Sequence, residues 1–218
     1  DFNSIGEYGK GVRAGDLKYL DLNGDGKVDQ GKNTLEDPGD RVVIGNSQPR
    51  FSYGFNAAAD FYGFDFQIFF QGVGHMDWYP GYDNMRFWGP YCRPYASFIG
   101  KDFMKDVWSE SNPDGYFPRA RAYTSLNGQT YYTNDRYLQN LAYIRLKNLT
   151  FGYTLPEKAL KAMHMHDLRI YFSGENLWYW SPLHSKYVDP EFLAMDSDKN
   201  GVAYAMYKTF SFGLTVKF

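Results

Sequence analysis

Over residues 209–218 the chain alternates without a break: Phe210, Phe212, Leu214, Val216 and Phe218 fall on one face, and Thr209, Ser211, Gly213, Thr215 and Lys217 on the other. A period of two sends successive side chains to opposite sides of a strand, so this stretch is one strand with a continuous apolar side. A soluble sheet buries such a side under a second layer, whereas a membrane barrel turns it to lipid and keeps small or polar residues toward the lumen. Read as a terminal strand, it has no later element to cover it and must close a seam with other strands. The pattern predicts an all-β fold, an antiparallel transmembrane β-barrel segment.

Four more segments fit that prediction. Phe51, Tyr53, Phe55, Ala57, Ala59 and Phe61 oppose Ser52, Gly54, Asn56, Ala58 and Asp60, and after a tight turn at Tyr62 and Gly63 a second strand opposes Phe64, Phe66, Ile68 and Phe70 to Asp65, Gln67, Phe69 and Gln71. A third strand spans 143–155, but its two halves disagree. Leu149, Phe151, Tyr153 and Leu155 keep one parity, while Ile144 and Leu146 take the other, which calls for a bulge near Lys147 or for a first half standing above the membrane. A fourth strand covers 168–177, and a sixth, weaker one is expected near Leu17 to Leu22. Short helices are expected over 102–109 and 156–163.

The connections sort by length. The links at 62–63 and 156–167 are short, and the segments 1–49, 75–140 and 178–205 are long. Placing Phe218 at the periplasmic side puts every short link in the periplasm and every long one outside, the rule for these barrels. The expected layout is an outer loop at 1–49, then barrel strands over 50–218 with outer loops at 75–140 and 178–205.

Composition agrees. Aromatic residues make 20% of the 218, yet mean hydropathy is −0.54, so the apolar content sits in large rings spread among polar residues, as girdled barrel walls require. No apolar run reaches the length of a transmembrane helix, about 20 residues. A net charge of −2 without a basic patch gives no case for nucleic acid. Cys92 is the single cysteine, so no internal disulfide forms. There is no nucleophile elbow, no phosphate loop and no acid pair at a catalytic spacing, and no enzyme is expected. His164 and His166 lack a further ligand nearby and read as a solvated turn.

Two features carry binding chemistry. DLNGDGKVD places Asp21, Asn23, Asp25 and Asp29 at alternating positions of a calcium-type loop, with Gly26 at its turn and the Lys27 carbonyl available. Lys32 stands where the closing acid belongs, so a bound ion would need Asp37 or Asp40 to complete the shell; a structural Ca²⁺ is the one cofactor suggested, and the same residues also read as an Asx-turn-rich surface loop without an ion. The long loop is rich in rings, and Trp78, Tyr79, Tyr82, Trp88, Tyr91 and Trp108 are candidates for stacking on sugars, since a flat apolar face with a polar edge suits carbohydrate.

Several ordered stretches carry a family likeness: GDLKYLDLNGDGKVD at 15–29, DRVVIGNSQPRFSYGFN at 40–56, WSESNPDGYFPRA at 108–120, YIRLKNLTFGYTLP at 143–156, LRIYFSGENLW at 168–178 and VDPE at 188–191. Together they make the sequence resemble the SusC/RagA-like TonB-dependent transporters. The resemblance implies a plugged barrel of about 22 strands, of which this chain would be the C-terminal few. It further implies an importer of oligosaccharides or peptides in the outer membrane of a Gram-negative, Bacteroidota-like bacterium. The partners implied are the plug and upstream strands, a SusD-like surface lipoprotein, the TonB complex and outer-membrane lipid. The family usually runs from the DNGDG-like loop almost directly to the DR pair, whereas this chain inserts about eight residues before Asp40 and Arg41, which makes Asp40 the better closing ligand. The alternative reading is a soluble calcium-loop β-domain that binds carbohydrate through the same rings.

Overall fold

A computed structural model describes residues 12–96, 99–195 and 206–218. Two compact units emerge: residues 12–45 join Tyr79–Leu138 in the first, while Asn46–Trp78, Gln139–Met195 and residues 206–218 make the second. The grouping departs from the layout expected along the chain, because the long loop folds with the N-terminal segment.

The second unit contains β1 (Ser52–Phe61), β2 (Phe64–Val73), β3 (Asp77–Trp78), β4 (Gln139–Asn140), β5 (Tyr143–Thr154), β6 (Asp167–Trp180) and β7 (Thr209–Lys217). A five-stranded sheet runs in the order β1-β2-β5-β6-β7 with every neighbour antiparallel. These are the five strands expected. Residues 17–22 form no strand: the Leu22 amide donates to Asp40 Oδ1, and the Asp21 carboxylate takes the Gly24 amide in the turn that follows at once. β3 and β4 add a two-residue ladder, too short for periodicity to show. Of the expected helices, the first shrinks to a single turn at Phe103–Asp106, and the second forms over Glu157–Ala162.

Turn chemistry fixes the first hairpin. Tyr62 and Gly63 both take positive φ, 48° and 85°, the combination a two-residue I′ turn demands. A register shift then decides β5. Phe69 faces Asn148 but Phe70 faces Leu146, so Lys147 is bulged out of the ladder, and on β6 the extra residues lie between Glu175 and Trp178, where Asn176 has φ 53°. Crossing the bulge restores parity: Leu146 and Leu149 share one face, and Arg145, Asn148 and Thr150 the other.

The faces differ sharply. On one side Phe55, Phe212 and Leu214 remain 60%, 83% and 62% exposed, so no layer among the described residues covers them. Rings crowd both ends of that side, with Phe61, Phe64 and Tyr153 at the hairpin end and Phe51, Tyr53, Trp178 and Trp180 at the other. The other side is polar. There Arg169 reaches across β5 to Asp65 with bonds of 2.8 and 2.5 Å, passing over Gly152, where any Cβ would stand 2.3 Å from the Asp65 carboxylate.

The first unit has a true core, and it is aromatic. Trp88 is wholly buried, with Phe87 and Tyr137 edge-on at 4.8 and 5.1 Å, and Phe117 stacks between Tyr137 and Tyr91. Each polar handle is spent: Trp88 Nε1 donates to Gly81 O, Tyr91 Oη to Pro118 O and Tyr137 Oη to Tyr116 O. The WSESNPDG stretch closes as a turn, in which the Asn112 amide donates to the Lys105 and Val107 carbonyls.

Candidate functional site

Within the first unit lies a cavity of about 1240 Å³, walled by residues 15–20, 28–30 and 40–42, the 79–82 stretch, Trp108 and Tyr131–Arg136. Its tyrosines are held from behind. Tyr79 Oη donates to Tyr132 O at 3.0 Å, Tyr19 Oη to Gln129 O at 2.5 Å, and the Asn134 amide bonds to the Tyr79 hydroxyl and to Tyr132 O. Burial, reinforced by the neighbouring Tyr19 and Tyr137, pushes the Tyr79 phenol above its ordinary value, and burial does the same for Tyr91 and Tyr137. All three are neutral donors at any physiological pH. Tyr82 and Tyr131 stand differently. Their rings lie 5.6 Å apart on the cavity wall and are 54% and 45% exposed, while Ser125 Oγ holds the Tyr82 carbonyl at 2.7 Å.

This geometry divides the six rings singled out by sequence. Tyr79, Tyr82 and Trp108 line the cavity. Trp78, Trp88 and Tyr91 are 5%, 0% and 1% exposed and act as core, with no ring face left for a ligand. Tyr19, Tyr131, Tyr132 and Asn134 were not singled out and belong to the wall. Nothing in their spacing marks them, because the loop has no period.

Most charges on that wall are committed. Asp16 pairs with Arg121 at 2.7 Å, Arg136 donates to the Gly115 and Tyr116 carbonyls, and Arg41 to Pro38 O, Gln30 O and Asn33 Oδ1.

The DLNGDG loop sits at the cavity's edge and is closed by Asp40. Asp21 accepts from the amides of Gly24 and Gly26, Asn23 from Asp25, and Asp25 from Lys27. Asp40 accepts from Leu22 and Asn23 with one oxygen and from Asp29 with the other. Partial burial opposes its ionisation, but those three amides outweigh it and hold the carboxyl below the usual carboxylate value. Lys32 instead lies beside Asp37. Oxygen donors of this kind suit a hard cation. As arranged they turn to backbone amides, and among the described residues no three or more His, Cys, Asp or Glu side chains converge as a metal shell.

A second charged cluster lies in the second unit. Arg145, 2% exposed at its side chain, contacts both oxygens of Asp189 at 2.6 Å and Glu191 at 2.9 Å, and Lys147 meets Glu191 at 2.9 Å. Sequence reading met both partners as motifs, YIRLK and VDPE, without joining them.

No family model matches the chain. Two curated relatives do: TonB-dependent receptor P3 of Formosa agariphila is 29% identical over 211 residues, covering 92% of this chain and 19% of that protein. TonB-dependent receptor P39 of the same organism is 27% identical over 173 residues, covering 79% of this chain and 16% of its own length. The chain thus spans about a fifth of the length of these relatives. Among solved structures, the RagAB peptide transporter superimposes with TM-score 0.57 at 21% identity, and the RagAB peptide importer in its closed-closed state with 0.54 at 18%. Each covers 81% of this chain and 18% of the other, a likeness of fold. By its ordered motifs, its two receptor relatives and this shared fold, the chain is similar to the SusC/RagA-like TonB-dependent transporters.

Proposed function

We propose that the chain supplies wall strands and outer loops of an outer-membrane importer of oligosaccharides or peptides, energised through TonB and served by a SusD-like surface lipoprotein. The observation that carries this reading is the uncovered apolar face of the five-stranded sheet, with rings at both of its ends. Water would not tolerate such a face on a monomer, and lipid between two girdles would. The soluble carbohydrate-binding alternative offers no second layer to cover it. Cargo meets the exposed faces of Tyr82 and Tyr131, whose rigid, flat surfaces suit a sugar ring or an apolar peptide side chain.

Cell fractionation of the native organism provides the test. The parent protein should pellet with the outer membrane, need detergent for extraction, and migrate differently in unboiled gels; disruption of TonB should stop uptake of its cargo. A parent protein that stays in the aqueous phase sinks the proposal.

A further inference from the structure

We propose that Arg145 and Lys147 form a latch that seats the segment after β6 on the polar face of the wall, making 181–195 a fixed strap rather than a free loop. Only the statement that this face lines the transport lumen rests on the importer reading; the latch itself is defined against the sheet.

The bulge is the starting point. A strand's period of two already puts Arg145 and Lys147 on one side, and the bulge adds Asn148 to it, leaving the Lys147 amine free of the ladder's spacing to reach Glu191. The matching irregularity on β6 brings Tyr179 opposite Arg145, and the guanidinium lies 4.7 Å from that ring's centroid. Arg145 therefore has one flat side on an aromatic and its donors turned toward the strap. There Asp189 and Glu191 flank Pro190, and the Glu191 amide donates to Asp189 Oδ1 at 3.0 Å, which fixes both carboxylates in one turn. Two cations meet two anions, so the cluster is neutral despite its burial.

Around the charges the strap is packed. Val188 and Leu193 are each 5% exposed, Ser181 Oγ donates to Ala142 O at 2.7 Å, and the His184 amide donates to Gln139 Oε1 at 3.2 Å. Removing one side of a buried ion cluster leaves the other charge without compensation, which opens the element it holds. The two carboxylates are thus positioning residues for the whole strap.

The test uses the full parent protein in intact cells. Leu193→Cys reports strap opening, since the native side chain is buried, and Tyr207→Cys is the control, its native side chain being 75% exposed. Cells are treated with a membrane-impermeant maleimide and labelling at each position is followed by mass spectrometry. Adding Asp189→Asn with Glu191→Gln should speed labelling at 193 by about tenfold or more and leave 207 unchanged. Lys147→Met, which removes one arm and leaves Arg145 paired, should speed it by about threefold. Equal rates at 193 in variants whose barrels still run as folded in unboiled gels would overturn the latch. If the double variant fails to insert, Lys147→Met decides alone, and no acceleration overturns the proposal. Failure of the importer reading shows separately, as a parent protein absent from the outer membrane; the labelling contrast, repeated on purified protein, still judges the latch.

Discussion

The wall and the loop body use the same residues in opposite ways. In the sheet, Phe212, Trp178 and Trp180 point outward and are 83%, 49% and 57% exposed; in the loop body, Trp88, Tyr91 and Tyr137 point inward and are essentially inaccessible. Aromatic content alone therefore says nothing about where a core is. What separates the regions is period. A strand that alternates must put every second ring on one face, and over that face the described residues form no second layer, which is why the proposed importer turns it to lipid. A segment without period is free to gather its rings into a cluster, and it becomes a small globule held by ring contacts and spent polar handles.

The largest effect should come from attacking the globule. Trp88→Ala removes its most buried ring and should cost about 3–5 kcal/mol, the range for large-to-small changes in tight cores. Protease sensitivity of 79–138 in the parent protein should rise accordingly, while Phe212→Leu, on the uncovered face, should leave it unchanged. The wall is broken by charge rather than by size. Phe212→Arg should cost about 2–4 kcal/mol of folding into a bilayer, whereas Ser211→Arg, one residue away on the polar face, should cost far less. Folding titrations of the parent in lipid vesicles check both. Equal penalties for Phe212→Arg and Ser211→Arg would mean that the alternation does not separate lipid from lumen.

The sheet was legible because its information is local. Phe210 to Phe218, Arg50 to Phe61 and Phe64 to Gln71 declare their faces residue by residue, and the disagreement between the halves of β5 left two readings, of which the ladder shows the bulge, at Lys147. The rest is long-range. Arg145 and Asp189 are 44 residues apart, and no pattern joins them. Tyr82 and Trp88 look alike as loop aromatics, yet one is on a cavity wall and the other at the centre of a core, an outcome set by packing against Phe117 and Tyr137 rather than by neighbours in sequence. The return of the chain at Asp40 was not legible: sequence offered Asp40 only as an ion ligand, whereas its carboxylate accepts from the amides of Leu22, Asn23 and Asp29, contacts 11 to 18 residues away that no pattern marks.

Asp40 sharpens the comparison on a third kind of region, a loop with neither period nor core. Its three amide bonds are exposed or half-buried, so Asp40→Ala should cost only about 0.5–1.5 kcal/mol of local stability. The sign with pH follows from its lowered folded pKa. The contribution is fully present above the ordinary value of 3.8 and is lost as pH falls through the lower, folded value. Hydrogen-exchange protection of peptides covering 21–31, taken relative to the intrinsic rate at each pH, should therefore stay high at pH 5 and fall below pH 3.8 in the native chain, with the Asp40→Ala variant poorly protected at both. Repeating the measurement in millimolar calcium tests the ion. A loop that takes Ca²⁺ exchanges more slowly in calcium only when Asp40 is present, and a loop knit by amides alone does not respond.

The smallest effect on stability should be at Tyr82 and Tyr131, and there the two uses of aromatic residues can be told apart by function. Both rings are about half exposed on the cavity wall, so truncating either removes little buried surface and should change stability by less than about 0.5 kcal/mol. Rings kept outside a core without a lipid face to serve need another partner, and in the proposed importer that partner is cargo. Uptake assays on the parent should then show KM rising by about tenfold in Tyr82→Ala with the maximal rate kept, because a ring that only stacks on bound cargo contributes to binding and not to the transport step. Tyr79→Phe, which keeps the ring and loses the hydroxyl tied to Tyr132 O, separates the structural role from the contact role: it should lower stability more than Tyr82→Ala and raise KM less. An unchanged KM in Tyr82→Ala and Tyr131→Ala would return these rings to the class of Trp88, parts of a surface that merely completes the globule.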